Sequence, residues 1–233
     1  MMPLLEIPQQ EDDRHQRFYG VYPAIVTDIK DPDGQGRVKV KLPWSPDSDG
    51  GYFAWARLAV LMAGSNRGTW FVPDANDEVL IAFAGGDPRQ PFVVGCLWNG
   101  KDAPPEKMDG AGSNFKKTIR SRNGVKVTLD DQDGQEKLTL ETPGGQKLTL
   151  QDGPGSVEIV DSNGNSFKME ASGITINASA KVTINAGATV DVSASMVNVT
   201  AGMSKFSGVG QCDTLIATTV VGTTYTPGAG NIW

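Results

Sequence analysis

Histidine occurs once in these 233 residues, as His15, and cysteine only twice, as Cys96 and Cys212. A lone histidine near the N-terminus excludes a Ser–His–Asp triad or a His-rich zinc site in the folded part. The two cysteines lie far apart and form no C-x-x-C pair, so they read as free thiols of a chain made in a reducing cytoplasm. No run of about 18 apolar residues is present, which argues against a membrane-spanning helix. The start, MMPLLEIPQQEDDRHQRF, has no basic stretch leading into an apolar one, so no secretory signal is expected. Helical 3.6-residue periodicity is missing throughout. Basic excess is missing too. The net charge is −6 and the pI about 4.8, whereas a nucleic-acid binder needs a basic face, so no nucleic-acid partner is expected.

What is present is β-type patterning. Residues 1–17 mix Pro, Gln and charge and read as a flexible arm. Apolar or alternating runs follow at Gly20–Ile29, Arg37–Leu42, Tyr52–Val60, Val79–Phe83 and Pro91–Trp98. Turn-forming stretches separate them: DPDGQG, SPDSDGG and GGDPRQP. Short strands punctuated in this way predict a small barrel over residues 18–98. Residues 99–116, rich in Gly, Pro and charge, read as a linker.

From Lys117 the organisation changes. KTIRS, GVKVTLDD, EKLTLET, QKLTLQD, SVEIVD and SFKMEA follow one another with glycines about ten residues apart. Repetition at so short a period means a solenoid-like stack or a long meander. The register then tightens into ITINA, VTINA, VDVSA and VNVTA, starting at residues 174, 182, 190 and 197. Charge vanishes at the same place. Residues 101–170 carry 22 charged side chains, whereas residues 171–233 carry four: Lys181, Asp191, Lys205 and Asp213.

Alternate residues of a strand face opposite sides. Ile174 and Ile176 therefore share a face, as do Val182 and Ile184, Val190 and Val192, and Val197 and Val199. One ladder of such strands leaves its apolar stripe uncovered and its edges unpaired. Several copies turning their stripes inward solve both problems, and the Ala ending each repeat lets backbones approach. Burying two β-branched side chains per repeat contributes roughly 3–6 kcal/mol before chain entropy is subtracted. Calcium-binding nonapeptide repeats lack their GGxGxD here, and a hexapeptide solenoid has the wrong period. A lone-chain meander would leave a long apolar face exposed. An oligomeric β-prism is the expectation, with those eight Ile and Val residues as its core.

These residues resemble a known family, the spike proteins of contractile phage tails and the VgrG spikes of contractile injection systems. GVYPAIVTDIKDPDGQGRVKVKLPW and SNRGTWFVPDANDEVLIAFAGGDPRQPFVVGCLWNG look like its oligonucleotide/oligosaccharide-binding (OB) barrel. NFKKTIRSRNGVKVTLDDQDGQEKLTLETPGG resembles the start of its β-prism. The phage baseplate assembly protein of gpV type is the nearest likeness, since no hub domain precedes the barrel in this sequence. The resemblance implies an all-β homotrimer: an N-terminal OB-fold barrel followed by an intertwined trimeric β-helix or β-prism needle, with its shaft over 117–202 and a tip over 203–233. It implies a hub protein on the barrel side, a PAAR-type cap at the C-terminal end and a target membrane to cross. It also implies a place in a virion tail baseplate or injection particle assembled in the bacterial cytoplasm. Tyr225, Pro227, Asn231, Ile232 and Trp233 are the expected cap-docking residues, or else a tail that folds back to cap the needle itself.

Other readings are weaker. The lysozyme domain that some relatives insert after the barrel has no room in residues 99–115. Asp130, Asp131 and Asp152 sit in turn contexts, and neither DPDG nor DQDG continues to the glutamate of a calcium loop. No catalytic residue, metal or cofactor is expected. The alternative is an OB-fold module binding single strands or saccharides, with a trimerising β stalk, for which Trp44, Trp55, Trp70, Phe71 and Trp98 are available. Residues 18–100 hold seven Lys/Arg against nine Asp/Glu, so packing is the expected role of these rings.

Overall fold

The computed structural model describes residues 17–45 and 51–224. Strands, turns and one 3-10 turn at Ala84–Gly86 make up its regular structure, with no α-helix among the described residues. Two compact units divide the chain, residues 1–181 and 182–233.

In the first unit, β1 (Val21–Asp28), β2 (Val38–Leu42), β3 (Tyr52–Leu58), a small hairpin of β4 (Ala63–Gly64) and β5 (Arg67–Gly68), β6 (Glu78–Phe83) and β7 (Pro91–Cys96) follow in order. Five of these close a barrel in the order β1-β2-β3-β7-β6. All its neighbours are antiparallel except β3 and β7, where Arg57 pairs with Phe92 and Leu58 with Val93 in parallel. A five-stranded barrel with this crossover fits the OB fold.

Alternation builds the core. Val38, Val40 and Leu42 of β2 point inward and are at most 1% exposed, while Lys39 and Lys41 between them point out. Ala24, Val26, Ala56, Val79, Ile81 and Val93 complete the filling. At one end Trp44 stacks on Tyr22 with ring centroids 4.6 Å apart, and its Nε1 donates to the carbonyl of Pro23 at 2.8 Å. Phe18 packs edge-on against both rings. This cluster closes the barrel with apolar area while giving the indole N–H its partner.

The β1–β2 connection is organised by one carboxylate. Asp31 accepts from the backbone N–H groups of Asp33, Gln35 and Arg37, and from the Arg37 guanidinium at 2.6 Å. The Arg37 bond holds the Asp31 carboxyl far below the ordinary carboxylate range, aided by the backbone donors.

Beyond residue 115 the same unit forms a seven-stranded antiparallel meander. Its strands are β8 (Lys116–Arg120), β9 (Lys126–Asp130), β10 (Lys137–Glu141), β11 (Lys147–Gln151), β12 (Ser156–Val160), β13 (Ser166–Glu170) and β14 (Gly173–Asn177). Each pairs with its chain neighbour. Tight turns allow this. In the β12–β13 turn Asp161 accepts from the N–H groups of Asn163 and Asn165, both at 2.9 Å, and Gly164 supplies a φ of +85°. Bonds from the Asn165 side chain and backbone hold the Asp161 carboxyl at a pKa of about 2.

The described residues of the second unit, 182–224, contain no strand. The repeats expected to form strands from residues 182, 190 and 197 therefore lack any ladder within one chain. Only the first repeat, as β14, finds a hydrogen-bonded neighbour, β13. The reason is local: a strand needs a partner, and past Asn177 the described residues supply none within one chain.

Candidate functional site

The meander has two unlike faces, and the register shows how they arise. Residues directly opposite in neighbouring strands lie on the same face. Leu129, Leu138, Leu150, Val157, Met169 and Ile174 are successive partners across β9 to β14, which places them in one row. Two positions along, Ile119, Val127, Leu140, Leu148, Ile159, Phe167 and Ile176 form a second row on that face. The other face carries Thr118, Thr128, Thr139, Thr149, Glu158, Lys168 and Thr175 in its middle row. Oppositely charged partners flank it, such as Lys126 and Lys147 on either side of Glu141.

Among the described residues of the first unit, nothing closes over the apolar face. Leu129 is 46% exposed, Leu150 40% and Ile159 50%. Ile174 and Ile176, named from the repeat, extend the two rows at 64% and 60% exposure. In the second unit Val182, Ile184, Val190, Val192, Val197 and Val199 are likewise between 55% and 73% exposed. An exposed apolar face of this extent on the meander marks an interaction site. Tyr225, Pro227, Asn231, Ile232 and Trp233 lie outside the described residues.

Of the sequence pattern at 174–201, only Ile174 and Ile176 lie on this face of the meander. The rows from Ile119 to Met169 carry no motif ending in Ala, so the repeat did not reveal them. The signal was present: VTL, LTL, VEI and FKM carry the same apolar-x-apolar period without the closing Ala.

The other candidate groups sit in ion pairs or in turns. Asp130 faces Lys137 Nζ at 3.9 Å, and Asp131 lies 3.4 Å from Lys117 Nζ. The backbone N–H of Asp152 donates to the carbonyl of Glu136 at 2.9 Å in the β11–β12 connection. Glu106 binds Lys126 at 3.0 Å and Thr118 at 2.9 Å, which lower its pKa and fasten residues 99–115 to β8 and β9. Asp109 accepts from the backbone N–H groups of Ala111, Ser113 and Asn114. A cavity of about 720 Å³ opens between this segment and the sheet, with Trp98, Pro105, Met108 and Phe115 among its walls. Its rim carboxylates Glu106 and Asp109 are spent on those bonds. Burial raises the pKa of the Cys96 thiol, which makes it a poor nucleophile. Among the aromatic positions, Trp44 is part of the barrel end, whereas Trp70, Phe71 and Trp98 are at least 70% exposed.

Comparison with known proteins agrees with both halves. Residues 22–98 match the type VI secretion system/phage-baseplate injector OB domain. Residues 137–203 match the phage baseplate V C-terminal trimerisation domain. Together the two spans take in more than half of the chain. The chain belongs to the family of phage-baseplate V and VgrG-like spike proteins. The type VI secretion system spike protein VgrG5 of Pseudomonas aeruginosa is 31% identical over 132 residues, covering 52% of this chain and 17% of that protein. VgrG1a of the same organism is 29% identical over 114 residues, covering 46% and 18%. The actin cross-linking toxin VgrG1 of Vibrio cholerae is 29% identical over 111 residues, covering 46% and 10%. The chain thus spans less than a fifth of the length of these curated relatives. Within this spike family the matched trimerisation domain begins at Lys137, the first residue of β10, so most of the open apolar face lies inside it.

Proposed function

We propose that three copies of this chain form the structural central spike of a contractile phage tail or injection particle. The observation that carries this reading is the open face of the meander, continued by the unpaired Ile/Val repeats. Three copies wrapped about one axis give each face a cover and each unpaired segment its ladder partners. The rows from Ile119 to Ile176, followed by Val182, Ile184, Val190, Val192, Val197 and Val199, are the proposed trimer core. In this reading residues 18–98 form the barrel that meets a hub protein, 99–116 the linker, 117–202 the shaft and 203–233 the tip. The low charge of the last segment suits a rod driven through a target membrane. The reading assigns the chain no catalysis. The structural spike character of the family supports it, and the proposed site is the virion baseplate or injection particle.

The tip is proposed to seat a PAAR-type cap through Tyr225, Pro227, Asn231, Ile232 and Trp233. Deleting residues 222–233 is expected to leave a trimer that no longer retains the cap in a pull-down. Undiminished capture by the truncated spike would refute this docking role.

A further inference from the structure

Four of the seven cations of the barrel, Arg37, Lys39, Lys41 and Arg57, gather at β2 and β3. Lys39 and Lys41 alternate with the buried valines of β2, so both project from the barrel wall. Opposite them on β3 stand Trp55, paired with Lys39, and Phe53, paired with Lys41. The ammonium groups of Lys39 and Lys41 lie 5.5 and 5.7 Å from the Phe53 ring. The Arg37 guanidinium lies 5.7 Å from the ring of Trp55. Further along β3, Arg57 stands 5.6 Å from the ring of Phe92 on β7. At the other end Gly36, with a φ of +72°, lets the Trp70 indole approach so closely that a Cβ there would sit 3.0 Å from it.

Rings and cations therefore interleave along the outer surface of β2, β3 and β7. Phe53 is 44% exposed and Trp70 76%, so faces and edges remain open. The acidic neighbours do not cancel this. Asp31 and Asp33 bind Arg37, which leaves that residue as a fixed plate rather than a free charge. Asp28, the β1 partner of Lys39, accepts from the backbone N–H of Lys30 at 2.9 Å. Among the described residues no carboxylate lies within ion-pair distance of Lys39, Lys41 or Arg57. A count over the whole barrel averages this segregation away.

We propose that this strip binds single-stranded nucleic acid. The chemistry is stacking of bases on sequence-indifferent rings, with three cations that have no ion-pair partner among the described residues available for the phosphates. Trp55 and Phe53 are two residues apart on one strand, so the half-buried ring and the open one stand about 7 Å apart along it. An extended strand offers bases and phosphates in just such an alternation. A duplex hides its base faces and gains nothing from the rings. An acidic protein surface would use the cations but leave the rings without a role.

The test uses the full chain in its native assembly and a fluorescent oligothymidylate, read by anisotropy. Three phosphate contacts predict a slope of about −2 in log affinity against log salt, a loss of roughly 15- to 20-fold between about 50 and about 200 mM. The Lys39→Gln/Lys41→Gln variant is expected to flatten that slope to below about −1. Phe53→Ala, which keeps every charge, is expected to weaken binding by about fivefold or more. The proposal is overturned if the wild type shows no binding, as it would if a second copy or an acidic partner covered the strip. Equal affinity for a duplex of the same length, or an unchanged affinity in Phe53→Ala, would reduce it to plain polyanion attraction and overturn it as well. The wild-type salt slope and duplex comparison need no variant, so a folding defect in either mutant does not spare the proposal.

Discussion

Ile81 and Ile159 are both isoleucines in antiparallel strands, yet one is 0% and the other 50% exposed. That contrast separates what folds the barrel from what awaits a partner. Ile81→Ala opens a cavity in a closed core and is expected to lower barrel stability by about 2–5 kcal/mol, measured by denaturant titration. Asp31 is a different residue-scale case. Alanine there removes one acceptor from three backbone donors and a guanidinium, so Asp31→Ala is expected to lower Tm by several degrees. Acid acts in the same direction. The pKa of Asp87 is held at about 2 by Arg89, that of Asp161 at about 2 by Asn165, and the ordinary value is 3.8. Folded-state values below unfolded ones mean that the stabilisation is complete above about pH 4 and is lost as pH falls toward 2. Tm is thus expected to drop across that window and to stay flat from pH 5 to 7 in these groups' contribution. Asp161→Asn is expected to blunt the acid drop.

At the scale of elements, legibility depended on whether a strand meets its partner within the chain. RVKVKL announced β2 through alternation, and DPDGQG announced the turn before it. The β4–β5 hairpin was invisible, because strands of two residues containing Gly have no period to read. The repeats at 174–199 were the clearest pattern of all, yet only Ile174 and Ile176 sit in a ladder within one chain. The basic–aromatic strip escaped for another reason: composition records how many charges exist and not which strand face they share. The two faces of the meander make a directional prediction. Leu140→Asp places a charge in the apolar row and is expected to give a monomer whose barrel still unfolds cooperatively. Thr139→Asp, one residue away on the polar face, is expected to remain oligomeric. Light scattering of the pair distinguishes them, and two identical masses would mean that the face takes no part in assembly.

Taken whole, the molecule pairs a self-sufficient barrel with a long segment that cannot satisfy itself. The barrel closes its own sheet and buries its own core. Every described residue from Ala171 to Thr224 is exposed, apolar ones included, with Val209 at 100%. Chain entropy of order 1–2 kcal/mol per residue opposes holding such a segment in one conformation without contacts. Assembly of identical copies supplies those contacts, which agrees with the match to a trimerisation domain over residues 137–203. The most direct measurement is the mass in solution of the full chain, followed by limited proteolysis and mass spectrometry of the surviving fragment. The account predicts three times the 24.8 kDa chain mass, stable in detergent, with residues from about Lys117 onward resisting the protease. A monomer, or an oligomer whose C-terminal half is digested first, would contradict it.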